Sequence, residues 1–182
     1  DQLLESVQLT ASSYGLQPYE VIVVENPEVR EKLKAEAWNQ TQITEASHLV
    51  IFANLTKVTE KYVDTYLDNI SATRNMSRED LKGMEDMIKN TTLQLPQEKQ
   101  DLWAAKQAYI ALGNLLAAAA HMKIDACPME GFNAEKFDEI LQLENKDLTT
   151  AVIAPIGYRS AEDQYQHLAK VRKSTSDLIH FI

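Results

Sequence analysis

Cysteine is almost missing from this chain. Cys127 is the one thiol in 182 residues, so no internal disulfide can form and a reducing cytoplasm is the expected home. Glycine is scarce too, at five residues. No Gly-x-Gly-x-x-Gly or P-loop occurs, which excludes a Rossmann or kinase-type phosphate cradle. No His-x-x-x-His or Cys-x-x-Cys pair occurs, and His48, His121, His167 and His180 are scattered, so no dedicated metal site and no nucleophilic triad is expected. No apolar run is long enough to span a bilayer; the best, Ala111–Ala120, is broken by Gly113 and Asn114. Basic residues are outnumbered 18 to 27, for a net charge of −9. That balance disfavours nucleic acid and anionic membrane as partners.

What is present fits one domain with a sizeable core, residues 1–182. The chain opens at Asp1 within a helical pattern, Asp1–Leu9, so an amino-terminal segment is expected upstream. Asn-x-Ser/Thr triplets occur at Asn39, Asn54, Asn69, Asn75 and Asn90. Such triplets arise by chance in a chain rich in Asn, Ser and Thr, and nothing else looks secretory.

Tyr19–Val24 and His48–Ala53 are β-branched apolar runs and read as buried strands, as does Thr149–Ile156. Asn26-Pro27 caps and starts a helix to about Ala37. Further helices are expected over Val58–Thr73, Leu81–Ile88 after Ser77-Arg-Glu-Asp80, Ala134–Leu143 after Asn133, and a short one to Leu168 capped by Ser160. The longest runs from Pro96 to about Met122, with Leu102, Ala105, Tyr109, Leu116 and Ala120 giving its apolar period. Gly113 and Ala117–Ala120 suit close approach of another helix. Asp177–Ile182 is a β-prone, sticky tail. The sum is an α+β chain: three internal strands and one terminal strand in a small sheet that helices must cover.

Four polar stretches are candidate ligand sites. Thr10–Tyr19 is a loop of small hydroxyl residues with Gly15 and Pro18. Trp38-Asn-Gln-Thr-Gln42 offers amides to a heterocycle. Pro128-Met-Glu-Gly131 is a turn able to present backbone N–H groups. Lys170-Val-Arg172-Lys173 is a basic cluster in an acidic protein, suited to a phosphate. Read alone, each is equally well a connector, a helix end or a solvated surface run.

Taken in order, Ala11-Ser-Ser-x-x-x-Gln-Pro18, Glu45-Ala-Ser-His48, Trp103-x-Ala-Lys-Gln-x-Tyr-x-x-x-Gly-Asn114, Pro128-Met-Glu-Gly-Phe132, Pro155-Ile-Gly-Tyr158 and Lys170-x-Arg172 resemble the FMN-dependent nitroreductase family, in its oxygen-insensitive NAD(P)H-oxidising or dihydropteridine reductase-like branch. The resemblance implies a nitroreductase-like α+β fold: a small mixed central sheet, a long central helix, and a carboxy-terminal tail exchanged across a homodimer. It implies FMN as cofactor and NADH or NADPH as donor. Hydride would pass through flavin N5, in ping-pong fashion, to a nitroaromatic, quinone or similar acceptor.

By resemblance, Ser12 and Ser13 reach the flavin across the interface, and Asn39 meets its pyrimidine edge. Gln42 stands where several members carry a lysine near N1 and O2. Pro128, Met129, Glu130 and Gly131 lie against the ring with the Glu130 N–H toward N5, and Lys170 and Arg172 meet the phosphate. No side chain is assigned as catalytic. Tyr14 and Trp38 are candidates for the wall of the open face, and Cys127 reads as a buried filler. The family's Arg-x-Ser/Thr-x-Lys/Arg signature is absent and is expected upstream of Asp1. Glu60–Leu93 is the stretch expected to set substrate range. Dihydropteridine or enoate reduction, dehalogenation, and a catalytically silent flavin-binding or interaction protein remain alternatives.

Overall fold

In a computed structural model covering residues 1–182, helix α1 (Gln2–Gln8) leads into strand β1 (Tyr19–Val24). Helices α2 (Pro27–Ala35) and α3 (Gln42–Glu45) then lead to strand β2 (His48–Leu55). Helices α4 (Glu60–Arg74), α5 (Lys82–Thr91) and α6 (Gln97–His121) follow. Strand β3 (Asp125–Ala126), helix α7 (Ala134–Leu141), strand β4 (Leu148–Gly157) and helix α8 (Thr175–Leu178) complete the order.

Local chemistry explains most boundaries. Asn26 Oδ1 accepts from the N–H groups of Glu28 and Val29 at 2.9 and 3.1 Å, with Pro27 in the first turn, where a missing N–H costs nothing. Ser77 and Asp80 cap each other reciprocally ahead of α5. Asn133 caps α7 through the Lys136 N–H. The short turn Gln164–His167 is 3-10 and is capped by Asp163 rather than Ser160.

The sheet order is β1-β2-β4-β3 and every pairing is antiparallel, so the sheet within this chain is not mixed. Val24 faces Leu49 and Leu55 faces Leu148. The β1–β2 connection returns to the end of the sheet it left, whereas α4, α5 and α6 carry the chain from the Leu55 end of β2 to the opposite end, where β3 pairs with Gly157. The fourth strand is Asp125–Ala126, not the terminal tail. Thr175–Leu178 is a helical turn, and no residue after Pro155 is buried.

Period-2 alternation splits the core into two layers. Val50, Phe52, Val152 and Ala154 meet α1 and α6 through Leu3, Val7, Ala108, Ala111 and Leu115. Leu49, Ile51 and Ile153 meet α2, α3 and α7 through Leu33, Ile43 and Phe137, with Met129 beneath. A third cluster joins Leu16 and Val58 to α4 and α5.

The buried face of α6 is Ala104, Gln107, Ala108, Ala111, Leu112, Leu115 and Ala119. It is not the face expected from Leu102, Tyr109 and Ala120, all of which are exposed. Alanines let the helix lie close to the sheet, and a helix apolar on all sides carries no periodic signal for which side goes in. Gly113 is also exposed, with open space around it.

Candidate flavin site

The turn after β3 is pinned on alternate residues. Cys127 N–H donates to Pro155 O at 3.1 Å, Met129 N–H to Ile153 O at 2.8 Å, and Ile153 N–H to Met129 O at 3.1 Å. A trans peptide places its N–H opposite its C=O. With Met129 O held against β4, the Glu130 N–H points away from the sheet, and neither it nor the Gly131 N–H has an acceptor in the protein. Phe132 N–H closes the turn onto Glu130 O at 3.0 Å.

The segment after α2 packs against this turn. Trp38 and Asn39 are both left-handed (φ 53° and 56°), an arrangement that non-glycine residues adopt only when their surroundings hold them. Gln40 Nε2 donates to Gly131 O at 2.8 Å and to Ala37 O at 3.1 Å, so its amide clamps the turn instead of facing a ligand. Gln42 Nε2 lies 3.6 Å from Met129 Sδ. Beneath, the buried Arg30 guanidinium donates to the carbonyls of Ile43, Ala46 and Ser47, at 2.7, 2.6 and 3.1 Å, and so fixes the segment that carries Gln42.

Gln42, Cys127, Pro128, Tyr158, Arg159 and Lys170 line a surface cavity of about 420 Å³. Arg159 reaches back to Asp125 through two bonds of 2.6 and 2.8 Å. These bonds hold the Asp125 carboxyl below the usual carboxylate range and tie the start of the tail to β3. Cys127 is exposed rather than a buried filler. Desolvation pushes its thiol up, so it stays protonated at neutral pH. Arg172 is exposed, with Nη1 on Val171 O.

Trp38, Gln42, Pro128, Met129, Gly131 and Lys170 thus converge around one turn, with the Glu130 N–H open. Ser12, Ser13 and Tyr14 do not join it within the chain. They sit in a strained loop, with Tyr14, Gly15 and Gln17 at φ 56°, 79° and 44°. Ser13 N–H donates to Gln107 Oε1 at 2.8 Å, Tyr66 OH to Tyr14 O at 2.6 Å, and Tyr62 OH to Gln17 O at 2.8 Å. Burial, then Glu20 and Tyr19, push the Tyr62 hydroxyl up to about 12. Ser12 Oγ accepts from Gln17 N–H at 2.9 Å, which leaves its own proton free to donate. Tyr14 packs beside α4 and bonds Thr91.

Several residues here escaped sequence reading as parts of a site: Arg30, Tyr62, Tyr66, Tyr109 and Arg159. Tyr109 OH donates to Glu130 Oε1 at 2.6 Å and lies 3.4 Å from Ala151 O. Burial and then the Glu130 carboxylate push its hydroxyl up to about 12. Its place in the Trp103–Asn114 motif was the one available signal. No cluster of His, Cys, Asp or Glu suited to a metal is present, and no helix is long and apolar enough to cross a membrane.

The turn thus sits on an antiparallel sheet layered between α6 and the α2–α3–α7 group. The sequence profile described as the Nitroreductase family matches residues 1–158, and the chain belongs to that family. Over 99 % of its length it is 35 % identical to YfkO of Bacillus subtilis, covering 85 % of that protein, and YfkO is provisionally named an NAD(P)H nitroreductase. It is 37 % identical to SERP2086 of Staphylococcus epidermidis, with the same provisional name, over 99 % of this chain and 84 % of that one. Among solved structures, a provisionally named nitroreductase of Exiguobacterium sibiricum in complex with FMN superposes with a TM-score of 0.85 at 20 % identity. That match covers 100 % of this chain and 84 % of the other. An enone reductase of gut-bacterial fatty acid saturation, CLA-ER, reaches a TM-score of 0.82 at 20 % identity, covering 100 % and 85 %. At such identities the likeness concerns the fold.

Proposed function

We propose that this chain is an FMN-dependent NAD(P)H oxidoreductase acting as a homodimer on electron-poor acceptors such as nitroaromatics or quinones. The observation that carries the reading is the pinned Pro128–Gly131 turn, whose Glu130 N–H is free and aimed off the sheet. A backbone donor held in this way suits an aromatic ring nitrogen, because it needs no reorganisation when the ligand arrives. Gln42 beside Met129 and the exposed amide of Asn39 suit the polar edge of the ring system. Lys170, on the cavity wall, and Arg172 suit a phosphate. Bound there, FMN would supply the hydride-transfer chemistry that links NADH or NADPH to the second substrate in a ping-pong cycle. The protein's part is to position the ring, exclude water from its face and tune its potential. Trp38, 74 % exposed beside the turn, fits the wall of the open face.

Two exposed surfaces support the homodimer. Leu102, Tyr109, Ile110, Gly113 and Ala117 form an outward apolar stripe on α6, and Tyr165, Leu168, Val171 and Phe181 stand exposed along the tail. Paired α6 helices and an exchanged tail cover both. The same exchange brings a neighbouring Ser12–Ser13 loop to the flavin.

The test is direct. Purified protein mixed with FMN takes up the yellow colour; NADH or NADPH bleaches it without oxygen, and menadione or nitrofurazone restores it. Colour that neither nucleotide bleaches leaves a binding protein and overturns the enzyme reading.

A further inference from the structure

We propose that Tyr109 is a positioning residue for the flavin-facing turn: its hydroxyl holds the Glu130 carboxylate on the α6 side and thereby keeps it off the free N–H groups of the turn. The inference rests on the flavin reading above and adds a residue outside the turn to it.

The Met129 side of the Glu130 peptide is held by Ile153 N–H, and the Gly131 side by Gln40. Between these anchors, the Glu130 side chain has one partner, the Tyr109 hydroxyl at 2.6 Å. Glu130 is exposed, so without that partner its carboxylate would sample several rotamers. Some of those rotamers fold an acceptor back toward the free N–H groups of residues 130 and 131, where it competes with a ring nitrogen. Others place a negative charge beside a flavin that itself gains negative charge on reduction. The Tyr109 hydroxyl prevents both. It comes from α6, whose inner face is packed against the sheet through Ala108 and Ala111, so the donor is rigidly based. A hydrogen bond to a carboxylate is stronger than a neutral one, as this role requires.

The test uses Y109F, E130A and the double variant of the full chain. In flavin-free protein, two-dimensional NMR is expected to show the Glu130 and Gly131 amide resonances displaced in Y109F. E130Q still offers an acceptor to the hydroxyl and keeps the Gly131 amide near its wild-type position. In FMN-loaded protein, anaerobic reduction by NADH is expected to slow by about tenfold in Y109F, the scale of one hydrogen bond. The double variant, which has no carboxylate to release, is expected to be reduced faster than Y109F, and the midpoint potential of the flavin falls in Y109F. Unmoved amides, or a double variant no faster than Y109F, overturn the proposal. So does a Y109F protein that melts earlier while its amides, potential and reduction rate stay put. If the wild-type chain takes up no FMN, the functional reading falls, while the flavin-free amides still decide whether Tyr109 sets the turn.

Discussion

The indole of Trp38 lies directly over Gly131. A Cβ at position 131 would stand 2.4 Å from Trp38 Cζ3 and 3.2 Å from Gln40 Nε2, so this glycine is required by close approach. Because the ring is 74 % exposed, it can swing outward. Gly131→Ala is therefore expected to fold and to move Trp38 off the turn, at a cost of about 1–2 kcal/mol. Tryptophan emission should change, the melting temperature should fall by a few degrees, and FMN affinity should fall. A variant with unchanged emission would show that the indole does not pack on Gly131 in solution.

Gln42 places a neutral amide where a cation would favour reduced flavin. Gln42→Lys is expected to raise the two-electron potential of bound FMN by roughly 20–40 mV, equivalent to about 1–2 kcal/mol. A redox titration of both proteins against a dye of known potential checks this, and no upward shift would refute it.

Arg30 satisfies three carbonyls at once from a buried position. Arg30→Met leaves those acceptors unpaired and is expected to cost about 3 kcal/mol, the scale of a buried hydrogen-bond set. Denaturant unfolding measures the loss. Arg30→Lys should recover only part of it, because an ammonium cannot reproduce the planar fork.

Lys89 bonds Glu85 at 2.8 Å and Asp64 at 2.9 Å, joining α5 to α4. Its hydrogen bonds hold both carboxyls below their ordinary pKa values. A depressed folded-state pKa contributes stability that is complete above the unfolded pKa and is lost as pH falls through the folded value. Melting temperature should therefore drop between about pH 5 and about pH 3, the range of carboxylate titration. Lys89→Met should flatten that slope and leave the neutral-pH structure intact.

The tail leaves the body after Arg159, and none of its residues is buried in its own chain. Truncation after Ser160 is expected to leave the sheet folded, shift the sedimenting species toward monomer and abolish FMN uptake. A truncated protein that stays dimeric and yellow would rule out tail exchange as the source of the interface.

Much of the fold was legible along the chain. Tyr19–Val24 was bounded correctly by its β-branched run, and Asn26-Pro27 marked the start of α2 because capping is a local event. The turn at Pro128–Gly131 was legible as a motif. The two residues of β3 were not, because so short a strand exists only through its pairing with Ile156 and Gly157. The inner face of α6 was hidden too, since Ala, Leu and Gly occur all round the helix.

By itself, the sequence determined the three longer strands, most of the helices, the caps at Asn26 and Asn133, the family, and the polar stretches from which a site is built. These follow from side-chain shape, backbone preference and short-range spacing. Tertiary structure alone decided strand direction, the face of α6, and the pairings of Trp38 with Gly131, Gln40 with the Gly131 carbonyl and Tyr109 with Glu130. Those depend on groups 21 to 93 positions apart meeting in space, which no local pattern encodes.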